Sequence, residues 1–335
     1  MMSNDMGQSN NVPSTESQPA APPLIPWRYA FLATGGLVAA SALGIFVAAA
    51  AGALAAGAGY MIGTYASMNR GYWKAVAVGA IVALLGAASL QFDNMLTIVL
   101  ASLLLLALAS WESAQVGSRD FVMGLLAYLM FTVGIDFEGD WFMLIAFTVG
   151  VAVGIIVIVF LGIPKSVPSK PVSMVASVAL GAFLAIGLSI SVFIMEQLDE
   201  PRSYLIALIF VGRALIPFEG FRGSTFRYGL GAIAGAGIAF IILLFNPPII
   251  LTLGLGLVAA VVGIRNLTHA LPIAPAMLTA AVLLALQDSQ QDIRFRVMSV
   301  VIVVSIALIL SLIIEGLWRA LNRRFPRQFP RFYAE

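Results

Sequence analysis

The positive charges set inside apolar runs carry the most chemical content in this chain. Arg213 lies in Ile209-Phe210-Val211-Gly212-Arg213-Ala214-Leu215-Ile216-Pro217. A charge at such a depth costs roughly several kcal/mol unless it faces protein, water or a ligand. Arg213 therefore either meets a cargo or a gate, or snorkels to the headgroups. Arg222 opens one apolar segment as Arg70 opens another 152 positions earlier, and topogenic anchoring accounts for both as well as anion binding does. Two polar clusters flank short apolar segments: Trp111, Glu112, Arg119 and Asp120 in one, and Arg265, Asn266, His269 and Pro272 in the other. A bulky organic anion requires a guanidinium for its carboxylate and an apolar or aromatic wall for its body. The substrate-binding candidates are accordingly Arg213, Arg222, Arg70, Arg119, Arg265 and Trp111. Candidates for proton coupling are His269, Glu112 and Asp120, with His269 chosen because imidazole titrates near neutral pH, although a lone loop His is also ordinary surface. Glu315, four residues before Arg319, predicts a structural ion pair.

Other chemistries find no constellation. There is no metal-ligand spacing, no nucleotide-cradling Gly-Lys loop and no framed Ser/His pair, so no enzyme, cofactor or metal site is expected. Asp136, Glu138 and Asp140 read as solvated loop surface. Asn266-Leu267-Thr268 matches a glycosylation acceptor but falls on the inner side in the topology below. With no Cys, disulfide and thiolate chemistry are excluded.

The elements that must position these groups are apolar throughout. Of 335 residues, 61% are hydrophobic and 10% charged, with mean hydropathy +1.00. A soluble globule has roughly 45–50% apolar and about 25% charged residues. The expected fold is therefore all-α, a polytopic transmembrane bundle with the lipid bilayer as its surroundings. Long unbroken apolar runs argue against an outer-membrane barrel. The formal charge of +2 and pI near 9 concern topology and anion contacts rather than nucleic acid.

Breaks at polar, Pro and Gly residues delimit twelve segments: 27–48, 51–66, 73–90, 95–110, 121–135, 141–163, 172–194, 204–218, 225–245, 249–264, 273–286 and 297–317. Arg70-Gly71, Gly79-Ala80-Ile81, Ala87 and Asn94 recur as Arg222-Gly223, Gly231-Ala232-Ile233, Ala239 and Asn246, at one offset of 152. The chain thus divides into a disordered cytoplasmic tail (1–24), a first six-helix repeat (25–163), a Pro-marked linker (164–171), a second parallel repeat (172–318) and a basic cytoplasmic tail (319–335).

Lys and Arg set the orientation. With a cytoplasmic amino terminus, fifteen of the eighteen fall on inner connections and tails, and only Arg202, Arg294 and Arg296 fall outside. Acids dominate the outer loops. The second, fourth and fifth segments of each half fall short of the about 20 residues that span a bilayer. Paired short helices mark a transporter's binding site, or else they stand upright in a thin membrane. Gly59/Gly63, Gly150/Gly154 and Gly231/Gly235 have the small-residue spacing of close helix packing.

Arg222-Gly223-Ser224-Thr225, Gly229-Leu230-Gly231, Pro247-Pro248 and Ala276-Met277-Leu278-Thr279-Ala280-Ala281-Val282-Leu283 before Arg294 resemble the membrane half of the fusaric acid resistance and aromatic acid exporter superfamily. Plant malate channels are similar in fold. The match covers about seventy residues of the second half, and reaches the first through Arg70, Gly71 and Gly79. The resemblance implies export of organic anions, often aromatic carboxylates, from the bacterial inner membrane. It also implies a periplasmic adaptor and an outer-membrane channel as partners. The chain departs from longer members in lacking a sizeable cytoplasmic domain and looks closest to short members made of the membrane domain.

The leading expectation is a proton-driven exporter of small organic anions with both termini cytoplasmic. A passive anion channel and a non-transporting membrane scaffold or assembly subunit stay open, as does pairing of two copies.

Overall fold

The computed structural model describes residues 24–92, 95–132, 141–160, 162, 171–198, 203–215, 221–267, 272–286 and 290–324. The expected amino-terminal tail lies almost wholly outside these residues, as do most of the linker, His269, and the loop with Asp136, Glu138 and Asp140.

Each of the twelve apolar segments forms a helix. The first two run almost continuously from Trp27 to Arg70, broken at Ala48 (φ −147°, ψ 39°) and Ala49 (φ 49°, ψ −142°). Gly44 and Gly52 meet across this break so closely that a Cβ on either would overlap the other's carbonyl oxygen. The Tyr60 hydroxyl donates to the Ala33 carbonyl at 2.7 Å, so the two pieces form an antiparallel hairpin. We label them α1 (Trp27–Ala49) and α2 (50–70). The rest of the first half is α3 (Tyr72–Phe92), α4 (Met95–Val116), α5 (Asp120–Thr132) and α6 (Phe142–Phe160). The second half comprises α7 (Met174–Leu198), α8 (Leu205–Ala214), α9 (Phe221–Leu244), α10 (Ile249–Arg265), α11 (Ile273–Leu286) and α12 (Gln290–Arg324).

Seven of these helices are long and apolar enough to cross a membrane, and their outward faces carry bare Leu, Ile, Val and Phe side chains, as lipid contact requires. Among the described residues α5, α8, α10 and α11 are short, with 13, 10, 17 and 14 residues. The expected shortness fails for α2 and α4. Both continue through Ser, Asn, Glu and Arg residues at their carboxyl ends, because backbone hydrogen bonding extends a helix beyond its apolar stretch. Likewise α12 runs on to Arg324, so the basic tail expected from 319 begins as helix.

The packing repeats between halves. Helix α3 packs on α5 and α6 as α9 packs on α11 and α12, and α4 packs on α5 as α10 packs on α11. Where the halves meet, α4 lies against α7, and its counterpart α10 lies against α1. One backbone hydrogen bond closes each seam: Val172 N–H to the Ser113 carbonyl at 3.2 Å, and Ile25 N–H to the Arg265 carbonyl at 3.1 Å. Ser113 and Arg265 are 152 positions apart, the offset of the sequence repeat.

Helices α5 and α11 break the symmetry. Helix α5 occupies the centre, against α2, α3, α4 and the opposite half's α8, whereas α11 packs on α9 and α10. The main hydrophobic core accordingly gathers around α5, and a smaller one joins Ala236, Ala239, Leu283, Leu284 and Ile293. The glycine pairs serve packing. A Cβ on Gly59 would overlap the Phe147 carbonyl, one on Gly150 the Ala56 carbonyl, and one on Gly235 the Ala276 carbonyl.

Candidate functional site

Two short helices, α5 from the first half and α8 from the second, run side by side through the middle of the bundle. At about 1.5 Å per residue, the described residues of α5 span only about 20 Å. Its two ends are chemically opposite.

The amino end of α5 holds a buried ionic cluster. Glu112, at the foot of α4 and 1% exposed, accepts the Phe121 backbone N–H at 3.0 Å and lies 2.8 Å from the Lys74 ammonium. Lys74 also sits 4.5 Å from the Phe121 ring centroid. Glu112 thus takes one of the backbone donors that a helix start leaves unpaired, in a place where the helix dipole favours negative charge. Asp120 is fully buried, and its Oδ1 accepts the Asn69 amide at 2.8 Å. Its Oδ2 has no hydrogen-bond partner among the described residues. Arg70 donates to the Val116 carbonyl at 2.6 Å, capping the end of α4.

Arg119 crosses between the halves. Its guanidinium donates to the carbonyl of Ala214, the last residue of α8, in favourable alignment with the negative end of that helix. Desolvation lowers its pKa to about 10 while Tyr65 acts in the opposite sense, so it stays a cation at neutral pH.

Arg213, the neighbouring residue, is 5% exposed. It reaches Ser224 and Thr225 hydroxyls, each at 3.3 Å, and lies 4.6 Å from the Tyr228 ring centroid. Its Nε has no hydrogen-bond partner among the described residues, and none of these neighbours is a carboxylate. Snorkelling is excluded for this side chain, which turns into the protein. Among the described residues this buried cation meets hydroxyls and an aromatic face and no carboxylate, the property an anion site requires.

Beyond Arg213 the path is filled with rings. Phe183 stacks on Phe210 at 5.2 Å and meets Phe221 edge-on at 5.4 Å, all three being buried. Phe210 fits into the space left by Gly187, where a Cβ would overlap the ring.

On the far side of these rings lies a half-open cavity of about 570 Å³ lined by α4, α5, α7 and α8, and therefore by both halves, with the outward-facing Val99, Leu103 and Phe193 on its rim. Leu106, Leu129, Leu188 and Ala207 form part of its apolar wall, Ser102, Thr132 and Ser189 contribute hydroxyls, and Glu196 also lines it. The size and the mostly apolar lining with few polar groups match a small-molecule site.

Other sequence candidates have structural partners. Arg222 and Arg319 both bind Glu315, which extends the expected Glu315–Arg319 pair into a bridge from α9 to α12. Arg265 stacks 4.1 Å over Trp27 at the α1–α10 seam. Trp111 is 57% exposed and faces outward. The structure therefore gathers Arg119, Glu112, Asp120 and Arg213 at the α5–α8 contact, and leaves Arg70, Arg222, Arg265 and Trp111 at its margins. Sequence reasoning missed Lys74, Asn69, Tyr228 and the phenylalanine plug. Lys74 had a signal, being the one Lys inside an apolar segment; the rings had none in a chain with 21 Phe.

Among the described residues, no three His, Asp or Glu side chains gather as metal ligands. No family model, curated protein or solved structure matches the chain. Fold and surface define it as a polytopic membrane protein of helical architecture.

Proposed function

We propose that the protein carries small organic anions across a membrane, meeting the carboxylate at Arg213 on one side of the phenylalanine rings and the apolar body in the half-open cavity between its halves on the other. The observation that carries this reading is the arrangement along α8: cavity at Ala207, plug at Phe210, and at Arg213 a buried cation with no carboxylate partner among the described residues. In this reading the cavity opens at one end, and the plug with the Arg119–Ala214 bond closes the other, as one state of an alternating-access cycle would. A passive pore fits less well, because buried rings obstruct the path.

The concentration of Lys and Arg at the Arg213 end favours placing that end in the cytoplasm, with the cavity facing outward and export as the direction. The bacterial inner membrane and the aromatic acid exporter resemblance belong to the same proposal.

Proteoliposomes loaded with labelled aromatic or aliphatic carboxylates test it by counterflow. We expect exchange of at least one carboxylate, no exchange of its neutral carboxamide, and about a tenfold loss in Arg213→Gln, the effect of removing one charge-assisted hydrogen bond. Equal movement of acid and amide overturns the anion reading. Sustained single-channel current in planar bilayers overturns the carrier.

A further inference from the structure

The Asp120 carboxylate lies at the start of α5, next to the residue that bridges the two halves. It is fully buried, and Oδ1 is served by Asn69. Glu112 takes the Phe121 N–H at the start of α5, leaving that donor unavailable to Asp120. Lys74 is turned to Glu112. Among the described residues Oδ2 has no hydrogen-bond partner, and the buried Ser118 hydroxyl two residues away has none either. A bare carboxylate oxygen out of water costs roughly several kcal/mol unless it is protonated or gains a donor. The ionisable groups facing Asp120 are Tyr65 from α2, Lys74 from α3 and Glu112 from α4, with Arg119 adjacent in the chain. Of these cations, Arg119 is the one engaged to the opposite half, at the Ala214 carbonyl.

We propose that Asp120 is a proton-binding residue that controls the bond between the halves: when protonated it leaves Arg119 on Ala214, and when ionised it draws Arg119 away. The neutral acid needs no counter-ion, so the observed contact persists. The ionised form competes for the adjacent guanidinium, and a charge-assisted pair with a carboxylate is stronger than a bond to a backbone carbonyl. Losing Arg119 frees the end of α8, so Arg213 becomes reachable from the basic end. The proton is thereby the coupling ion of the transport cycle, an inference that rests on the transporter reading for its purpose but not for its test.

The absence of Cys makes a reporter simple. Leu215→Cys, one residue beyond Ala214 and half-buried, reports opening of the bond through reaction with a water-soluble thiol reagent, normalised at each pH to the unfolded protein. Purified protein in lipid nanodiscs is expected to label slowly at low pH and several-fold faster at high pH. Asp120→Asn, which mimics the protonated acid, is expected to stay slow at every pH. Arg119→Gln, which removes the bond, is expected to be fast at every pH, and keeps the test decisive if the Asp120 variant misfolds. Labelling independent of pH with Asp120 intact, or labelling that follows Na⁺ concentration at fixed pH, overturns the proposal. No cargo is required. A pH-dependent opening without any anion exchange would retain this site and refute the transporter, whereas anion exchange with pH-independent labelling would do the reverse.

Discussion

The two halves share a scaffold and divide the chemistry. At the offset of 152, Asn69, Lys74, Glu112, Arg119 and Asp120 of the first half correspond to Phe221, Phe226, Ile264, Leu271 and Pro272 of the second. Every member of the buried ionic cluster is thus replaced by an apolar residue. Conversely Arg213, Ser224 and Thr225 correspond to Met61, Tyr72 and Trp73. Packing diverges in the same manner. Gly59, Gly63, Gly150 and Gly154, which bring α2 and α6 into backbone contact, correspond to Val211, Leu215, Ile302 and Ile306. Backbones that touch through glycine have no side chains to repack between them, whereas α8 and α12 meet through large aliphatic groups that can change rotamer. The first half thus carries the titratable cluster on a seam of touching backbones, and the second carries the buried Arg213 on a helix packed through side chains.

That contrast breaks most sharply at the glycine seam. Gly150→Leu is expected to abolish the folded state, since its Cβ would already overlap the Ala56 carbonyl, and monodispersity in size-exclusion chromatography reads the loss. The counterpart change Ile302→Leu conserves volume and is expected to cost under about 1.5 kcal/mol. A folded Gly150→Leu protein would show that the two seams are alike.

Next in magnitude is the ionic cluster. Glu112→Ala strands Lys74 and the Phe121 N–H and is expected to destabilise the protein by about 3–5 kcal/mol in equilibrium unfolding from detergent micelles. Ile264→Ala at the corresponding, half-buried position should fall well short of that. Equal losses would remove the distinction between a charged and an apolar helix start.

A functional asymmetry follows from the plug. Phe210→Ala empties the space beside Gly187 and is expected to turn coupled exchange into a leak, seen as loss of retained carboxylate from liposomes, while Arg213→Gln slows exchange without a leak. The smallest effect belongs to the α1–α10 seam, where Trp27→Leu removes the stacking on Arg265. At a half-exposed site this is expected to change stability by about 0.5–1 kcal/mol.

Much of the architecture was legible beforehand because its signals are local. Membrane-length apolar runs must satisfy their own backbone groups as helices, which is why all twelve segments reappear. The glycine spacings marked close packing, and Glu315 with Arg319 marked an ion pair, since both depend on neighbours three or four residues apart. Helix ends were less legible. In α2 and α4 the polar final turns remain helical, so loss of hydrophobicity did not coincide with loss of helix.

By itself the sequence determined that this chain lives in lipid, that it folds as two matching sets of six helices, and that Arg213 is embedded. Tertiary structure alone decided that Glu112 and Asp120 lie at the start of a central helix, that Arg222 and Arg265 are held by Glu315 and Trp27, and that Arg213 is buried against hydroxyls and the Tyr228 ring. The physical reason is range. Helix formation is settled by hydrogen bonds within a segment, but whether a charge is paired, bare or solvated depends on which helices the fold brings beside it.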